Sequence, residues 1–135
     1  MRMPFTKLKF HPADDDAIEL EGWFIPQTRG GSRTDRLVIL NAPYNTEKSN
    51  LLGLAQDLWD GGYSVFLYDF RSHARNKQVQ QSIGHWEKQD ALAALDIVSA
   101  TYPKAKIGIV GASMGGAVAL MTAHNDPRVS YVVLR

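Results

Sequence analysis

The sequence contains no cysteine. That excludes a disulfide framework and thiol chemistry, and it fits a reducing compartment. A surplus of charge is missing as well: 15 basic against 14 acidic residues leave a formal net charge of +1. No global field is there to draw nucleic acid or an anionic membrane. Long apolar runs are also absent. The start, Met1-Arg2-Met3-Pro4-Phe5, passes into polar alternation without a signal-peptide core, and no apolar run approaches membrane-spanning length. The expectation is a cytoplasmic protein with neither a nucleic acid nor a membrane as partner. What is present is 135 residues, 44% of them hydrophobic, which suffices for one core and one domain over residues 1–135.

The stretch KIGIVGASMGGAVALMTAH, residues 106–124, organises the chain. An apolar strand enters Gly111-Ala112-Ser113-Met114-Gly115, and a helical run from Ala117 to Ala123 follows at once. A serine at such a corner has its oxygen lifted above the sheet edge. Glycines two before and two after let neighbouring elements pass close. The backbone N–H of Met114 then faces any negative charge forming beside that oxygen, as does the first turn of the helix. This is the G-x-S-x-G nucleophile elbow in its strand–turn–helix setting, with Ser113 as candidate nucleophile. The bland alternative is a small residue in a glycine-rich turn. Gly108, Gly111 and Gly115 lack the G-x-G-x-x-G spacing of a dinucleotide loop, so no cofactor is expected.

Taken in order, residues 5–10 alternate apolar and polar, Asp14-Asp15-Asp16 forms an acidic turn, and residues 18–25 alternate again. The two runs predict an antiparallel strand pair. The carboxylate triplet lacks the spaced ligands of a calcium loop and reads as a solvated turn, so no metal is expected. A polar loop covers 27–36. Leu37–Leu40 is then a short, wholly apolar run, as in a strand covered on both faces. Asn50 is placed to cap a helix whose apolar positions 51, 54, 55, 58 and 59 share one face, and Gly61-Gly62 ends it. Tyr63–Tyr68 is the next buried strand, and residues 69–83 are polar. A helical pattern runs from Gly84 to about Tyr102, where Pro103 stops it. After the elbow and its helix, Asn125-Asp126-Pro127 breaks the chain before a last strand, Val129–Leu134.

Strands alternating with helices at this spacing predict an α/β fold, a mostly parallel twisted sheet of about six strands with helices on both faces. Ligands in such sheets sit outside the carboxyl ends of the strands. Asn41–Tyr44, Asp69–Arg75 and Ser113 all leave strands at that edge.

Three segments together resemble the α/β-hydrolase family, specifically its N-terminal half. They are the elbow Gly-Ala-Ser113-Met-Gly-Gly, the strand and exit Gly62-Tyr-Ser-Val-Phe-Leu-Tyr-Asp-Phe-Arg71, and the helix start Gly84-His-Trp-Glu87-Lys-Gln-Asp90. The resemblance runs from about residue 17 onward and implies strand order 1-2-4-3-5-6, with Ser113 after the fifth strand. It also implies hydrolysis of a carboxylic ester or related acyl bond by a truncated form of the fold, one without the usual C-terminal strands and helices. The chain departs from the family pattern at three places. Where the family has His-Gly after the third strand, this chain has Asn41-Ala42-Pro43-Tyr44. Pro43 has no N–H, so Tyr44 is the candidate second oxyanion donor beside Met114. Where the family often has Arg-Gly-His-Gly, this chain has Arg71-Ser72-His73-Ala74. Finally, the family's acid and histidine follow the serine on later strands. After Ser113 the only histidine here is His124 and the only carboxylate Asp126. His124 lies roughly 16 Å down the helix axis, at the wrong end of the sheet.

The base is therefore expected to be non-standard. His85, starting a helix expected to lie start beside start with the elbow helix, and His73, in a loop with Asp69 to orient it, are the candidates. A base from a second chain is a further option. Arg71, Arg75 and Lys77 read as a solvated basic loop rather than an anion site, and Glu87 and Asp90 as favourable charges at a helix start. Small, accessible esters are the expected substrates, with weak activity. The apolar final strand is expected to pair edge to edge with a second copy, giving a homodimer. The competing expectation is a catalytically idle fragment or pseudoenzyme acting as an assembly module through that edge.

Overall fold

The computed structural model describes residues 3–28, 35–43, 46–71, 82 and 84–135. They form a six-stranded sheet in the order β1-β2-β4-β3-β5-β6. β1 (Thr6–Phe10) and β2 (Leu20–Ile25) are the antiparallel pair. β2 also runs antiparallel to β4 (Ser64–Tyr68). β4, β3 (Arg36–Asn41), β5 (Lys106–Gly111) and β6 (Val129–Leu134) run parallel to one another. Among the described residues there are three α-helices: α1 (Leu52–Asp60), α2 (Glu87–Thr101) and α3 (Met114–Ala123).

The central strands are apolar along their whole length because both faces are covered. Leu37, Ile39, Phe66, Tyr68, Ile107 and Ile109 point to one side, where α2 and α3 cover them with Ala94, Leu95, Val98, Val118 and Ala119. Val38, Leu40, Val65, Leu67 and Val110 point to the other, under Ala55 and Trp59 of α1. The two edges differ. β1 carries Lys7 and Lys9 on exposed positions, a charged edge that discourages pairing. β6 carries no charge, and Tyr131, Val133 and Leu134 are 37%, 45% and 54% exposed.

The entry to α1 differs from the expected Asn50 cap. A 3₁₀ turn, Lys48–Leu51, precedes the helix, and neither Glu47 before the turn nor Leu51 before the helix caps it with a side chain. The cause is Asp69, one residue past β4. Its Oδ1 accepts the Lys48 backbone N–H at 2.7 Å and its Oδ2 takes the Lys48 ammonium at 2.6 Å. The chain is pinned there and starts turning before Asn50 is reached. Lys48 is 7% exposed, lies 3.6 Å from Glu21 and sits over the Trp23 ring, so its charge is compensated from several sides.

Arg71 is not a solvated loop residue, and Asp14 does not belong to a merely solvated turn. Arg71 is 3% exposed. Its Nε and backbone N–H donate to Asp90 at 3.0 and 2.8 Å, and its two terminal nitrogens donate to Asp14 at 2.9 and 2.8 Å. A planar guanidinium has the fork geometry for such a double clamp. Arg75 and Lys77, the rest of the expected basic loop, lie outside the described residues. Asp90 is fully buried and is the inner partner of Arg71, not a charge tuning the helix end. Glu87, also fully buried, accepts the Ser82 hydroxyl at 2.7 Å and the Gly84 N–H at 2.9 Å. The Ser82 oxygen in turn accepts the Trp86 N–H at 2.7 Å. This cage fixes the start of α2 at Glu87, three residues later than the helical pattern suggests.

These carboxylates make stability depend on pH in two directions. Burial works against the Glu87 charge, yet the bonds from Ser82 and Gly84 outweigh it and hold its pKa below the ordinary 4.5. Hydrogen bonds from Arg71 and from Arg128 likewise lower Asp14 and Asp126. Groups with lowered pKa stabilise the fold above their unfolded values, and that support is lost as pH falls through the folded ones. Asp90 is opposite: burial pushes it up to about 6 despite the bonds from Arg71. Its contribution is full below its ordinary value and lost as pH rises through about 6. The urea midpoint is expected to peak near the ordinary carboxylate values, 3.8 to 4.5, falling at lower pH and falling again as pH rises toward about 6. A midpoint still rising at pH 8, or unchanged at pH 3, contradicts this.

Candidate active site

The site grows out of the β3 and β5 exits, which the parallel register sets side by side, Asn41 beside Gly111. At Ser113 the backbone takes φ 55° and ψ −123°, a conformation an L-residue adopts only at a cost. That strain is the sharp turn of the elbow. Ser113 is exposed and its side chain caps nothing, so its oxygen stands clear of the sheet edge.

The elbow closes because three glycine positions bring backbone onto backbone. A Cβ on Gly111 would collide with the Gly115 carbonyl, and one on Gly115 would come within 2.5 Å of the Asn41 and Ala42 carbonyl oxygens. A Cβ on Gly116 would stand 3.3 Å from the Gly111 carbonyl oxygen. α3 thus begins pressed into the angle between β5 and the β3 exit. One side chain spans this junction. Asn41, 3% exposed, donates from Nδ2 to the Gly115 carbonyl at 3.2 Å and accepts the Tyr68 hydroxyl on Oδ1 at 2.8 Å. Burial, with the Asp90 charge adding to it, raises the Tyr68 pKa well above its usual value, so this hydroxyl stays a donor.

Met114 is buried at the first position of α3, with its N–H in the helix's first turn, as the elbow motif requires. Tyr44 and His73 lie outside the described residues. His85 is exposed and packs edge-on against Trp86, ring centroids 4.4 Å apart. Its neighbour Gly84 faces Met121 and Val118 rather than the first turn of α3. The expected start-beside-start arrangement is corrected here: the α2 start meets α3 one to two turns along, because Gly84 has room for the Met121 side chain. His124 follows the last turn of α3, and its Nε2 lies 3.1 Å from Asn125. Asp69, expected to orient an imidazole, already has both carboxylate oxygens engaged by Lys48.

A groove of about 470 Å³, floored by Phe10, Leu92 and Ala93 with His11 and Asp96 at its rim, lies between β1 and α2. None of the elbow residues lines it, so its size says nothing about the chemistry at Ser113. The hollow at the elbow, lined by Asn41, Val110, Gly111 and Ala112, is about 30 Å³. Among the described residues, no group of three or more histidine, cysteine or carboxylate residues that could hold a metal occurs, and no helix is long and apolar enough to cross a membrane.

A mixed sheet in this order, with a strained serine between the fifth strand and a helix pressed into the neighbouring strand exit, defines an α/β hydrolase. The chain belongs to the serine aminopeptidase S33 family of hydrolases, whose model matches residues 32–135. An uncharacterized protein of Mycobacterium tuberculosis is 31% identical over 122 residues, covering 87% of this chain and 41% of its own length. Among solved structures, the Pyrococcus furiosus esterase Pf2001 superposes with a TM-score of 0.84 at 24% identity, over 96% of this chain and 51% of the esterase. A lidless α/β serine hydrolase from Xanthomonas campestris gives 0.81 at 19% identity, over 99% and 62%. A carboxyl esterase from Bacillus coagulans gives 0.78 at 17% identity, over 98% and 44%. The chain spans about half the length of the proteins it matches.

Proposed function

We propose that this chain carries the nucleophile half of a serine hydrolase acting on small carboxylic esters. Ser113 attacks the ester carbonyl, and the Met114 N–H, with Tyr44 N–H as second donor, holds the oxyanion of the tetrahedral intermediate. The observation that carries the reading is the Ser113 backbone, held at φ 55° with its oxygen exposed and uncapped. A base must take the serine proton, and His85, His73 or a histidine of a second polypeptide fills that role.

A fluorophosphonate probe tests the nucleophile. Wild-type protein is expected to label stoichiometrically and Ser113→Ala not at all. Ester hydrolysis that survives Ser113→Ala would falsify the assignment, and His85→Ala and His73→Ala then test the base. The apolar, exposed β6 edge supports a second reading, in which this edge is the working surface and pairs with a second copy across a two-fold axis. Under that reading neither wild type nor variant labels, and sedimentation gives a dimer. A monomer at high concentration counts against it.

A further inference from the structure

We propose that a second copy of the chain supplies the base, by setting its His124 beside Ser113 across a pair of antiparallel α3 helices. The inference rests on the reading of Ser113 as an acyl nucleophile and names the group that takes its proton. Ser113, Ala117, Leu120, Met121 and His124 are all exposed, while residues 114–116, 118, 119 and 122 are buried. The Ala117 N–H bonds to the Ser113 carbonyl, so the helical count starts at the serine. At about 3.6 residues per turn the five exposed positions fall within about 100° of arc, one stripe along α3. Its middle is apolar, with Leu120 52% exposed, and its two ends are a serine and a histidine. Within one chain those ends lie roughly 16 Å apart, so His124 cannot reach its own Ser113. When two stripes meet antiparallel across a two-fold axis, the small Ala117 of each fits against the large Leu120 of the other. That register puts the axis midway between positions 117 and 120, which is also midway between 113 and 124. His124 of the second copy then stands level with Ser113, and the same holds at the other end of the pair.

The sheet accepts the same axis. Antiparallel pairing of two β6 strands has its two-fold axis perpendicular to the sheet, so both α3 helices stay on one side of it. α3 packs over β5 and β6, with the Leu134 side chain against Gly116. Its symmetry mate is then about two strand spacings away, roughly 10 Å, which is a helix-packing distance. β6 carries no charge, and Val133 and Leu134, on its opposite faces, are 45% and 54% exposed. Strand and stripe together offer about a dozen residues a side, on the order of 1,000 Å² in total, the lower limit for a specific interface. The dimer is therefore expected to be weak and concentration-dependent. His124 is presented at the open end of α3, where Asn125, at φ 58°, turns the chain away. The Asn125 amide lies 3.1 Å from Nε2. With its oxygen turned to that nitrogen it keeps the ring proton on Nε2 and leaves Nδ1 to accept. Ser113 Oγ then bonds to the ester carbonyl carbon as its proton passes to Nδ1. The bond to the alcohol oxygen breaks, and that oxygen leaves with the proton. Water attacks the acyl-serine, its proton passes through the same nitrogen to Ser113 Oγ, and the acid departs.

The test is complementation between two impaired chains, read with the fluorophosphonate probe, whose fluoride leaves as phosphorus bonds to Ser113 Oγ. Ser113→Ala has no oxygen to label, and His124→Ala alone is expected to label roughly 100-fold more slowly than wild type. In an equal mixture, at concentrations where wild type is dimeric, about half of the His124→Ala chains pair with a Ser113→Ala chain. Each such pair holds one complete site, so a fast phase covering about half of the His124→Ala chains is expected. An excess of Ser113→Ala is expected to raise that phase toward all of them, and a Ser113→Ala, His124→Ala double variant to give none. Leu120→Lys, at an exposed position, is expected to sediment as a monomer and label slowly with an unchanged urea midpoint. His124→Ala that labels as fast as wild type overturns the proposal, as does a double variant that rescues equally. Fast labelling by wild type that sediments as a monomer at the same concentration overturns it too. Wild-type protein that labels at no concentration overturns the nucleophile reading, and this one with it; wild type that labels while the mixture gives no fast phase overturns this one only.

Discussion

Arg71→Ala is expected to destabilise the protein by about 3–5 kcal/mol, the cost of leaving a buried charge without its partner. Asp90 is fully buried, and the partners shown for its carboxylate are the Nε, terminal nitrogen and backbone N–H of Arg71. With the guanidinium gone, only the backbone N–H remains, and the carboxylate must either stay charged in an apolar site or take up a proton. Domains of this kind have about 5–15 kcal/mol in total, so the loss is a large fraction of the whole. Thermal unfolding is expected to drop by roughly 10–20 °C. The mechanism separates from simple loss of side-chain packing through a second variant. Replacing both partners with apolar residues, Arg71→Met with Asp90→Leu, removes the orphaned charge and is expected to recover most of the loss. If the double variant is no more stable than Arg71→Ala, packing and not charge is what Arg71 provides.

Gly115→Ala is the second large effect, and it falls on the site more than on the fold. The added methyl meets the carbonyl oxygens of Asn41 and Ala42 at 2.5 Å, and both are backbone atoms. Neither can rotate away, so α3 or the β3 exit must shift. Overpacking of this sort costs typically 1–3 kcal/mol. The shift separates Met114 from the β3 exit by on the order of 1 Å, and a misplacement of that size costs about 10²-fold in rate. Stability by urea and fluorophosphonate labelling, measured on the same preparation, check the two parts. A variant that labels like wild type would show that the junction tolerates movement. By contrast Gly53, where a Cβ meets nothing within 4 Å, is expected to accept alanine at no loss of labelling.

Much of the fold was legible because its signals are local. The apolar runs of β3 and β4, the alternation of β1 and β2 and the elbow motif each lie within a few consecutive residues, while the strand order follows from the resemblance to the α/β-hydrolase family. The ion pairs were harder to read. Arg71 sits in a polar run and looks solvated, because its partners Asp14 and Asp90 are distant in sequence. A signal for them did exist. Glu87, Asp90, Ala91, Ala94, Leu95 and Val98 recur at helical spacing, and all six are buried. Two carboxylates on a core-facing stripe need partners, and reading them as charges at a helix end overlooked that. Asn41 went unread for another reason. At the end of an apolar strand it stands where the family has His-Gly, while its bonds depend on Tyr68 of β4 and Gly115 of α3. His85 was placed by helix adjacency, which gives neighbours but not the level at which they meet.

The register of β3 against β5 also sets a kinetic order. The β1–β2 pair closes a short stretch of chain and can form early. Asn41 beside Gly111, by contrast, requires residues 36–41 to meet 106–111 with β4, α1 and α2 lying between them in sequence. Loop-closure entropy makes such long-range parallel pairing slow. The serine turn is strained, and the partners that hold it stand on β3. Ser113 therefore reaches its working conformation only when this late contact closes, and refolding protein should gain native fluorescence before it gains a reactive serine.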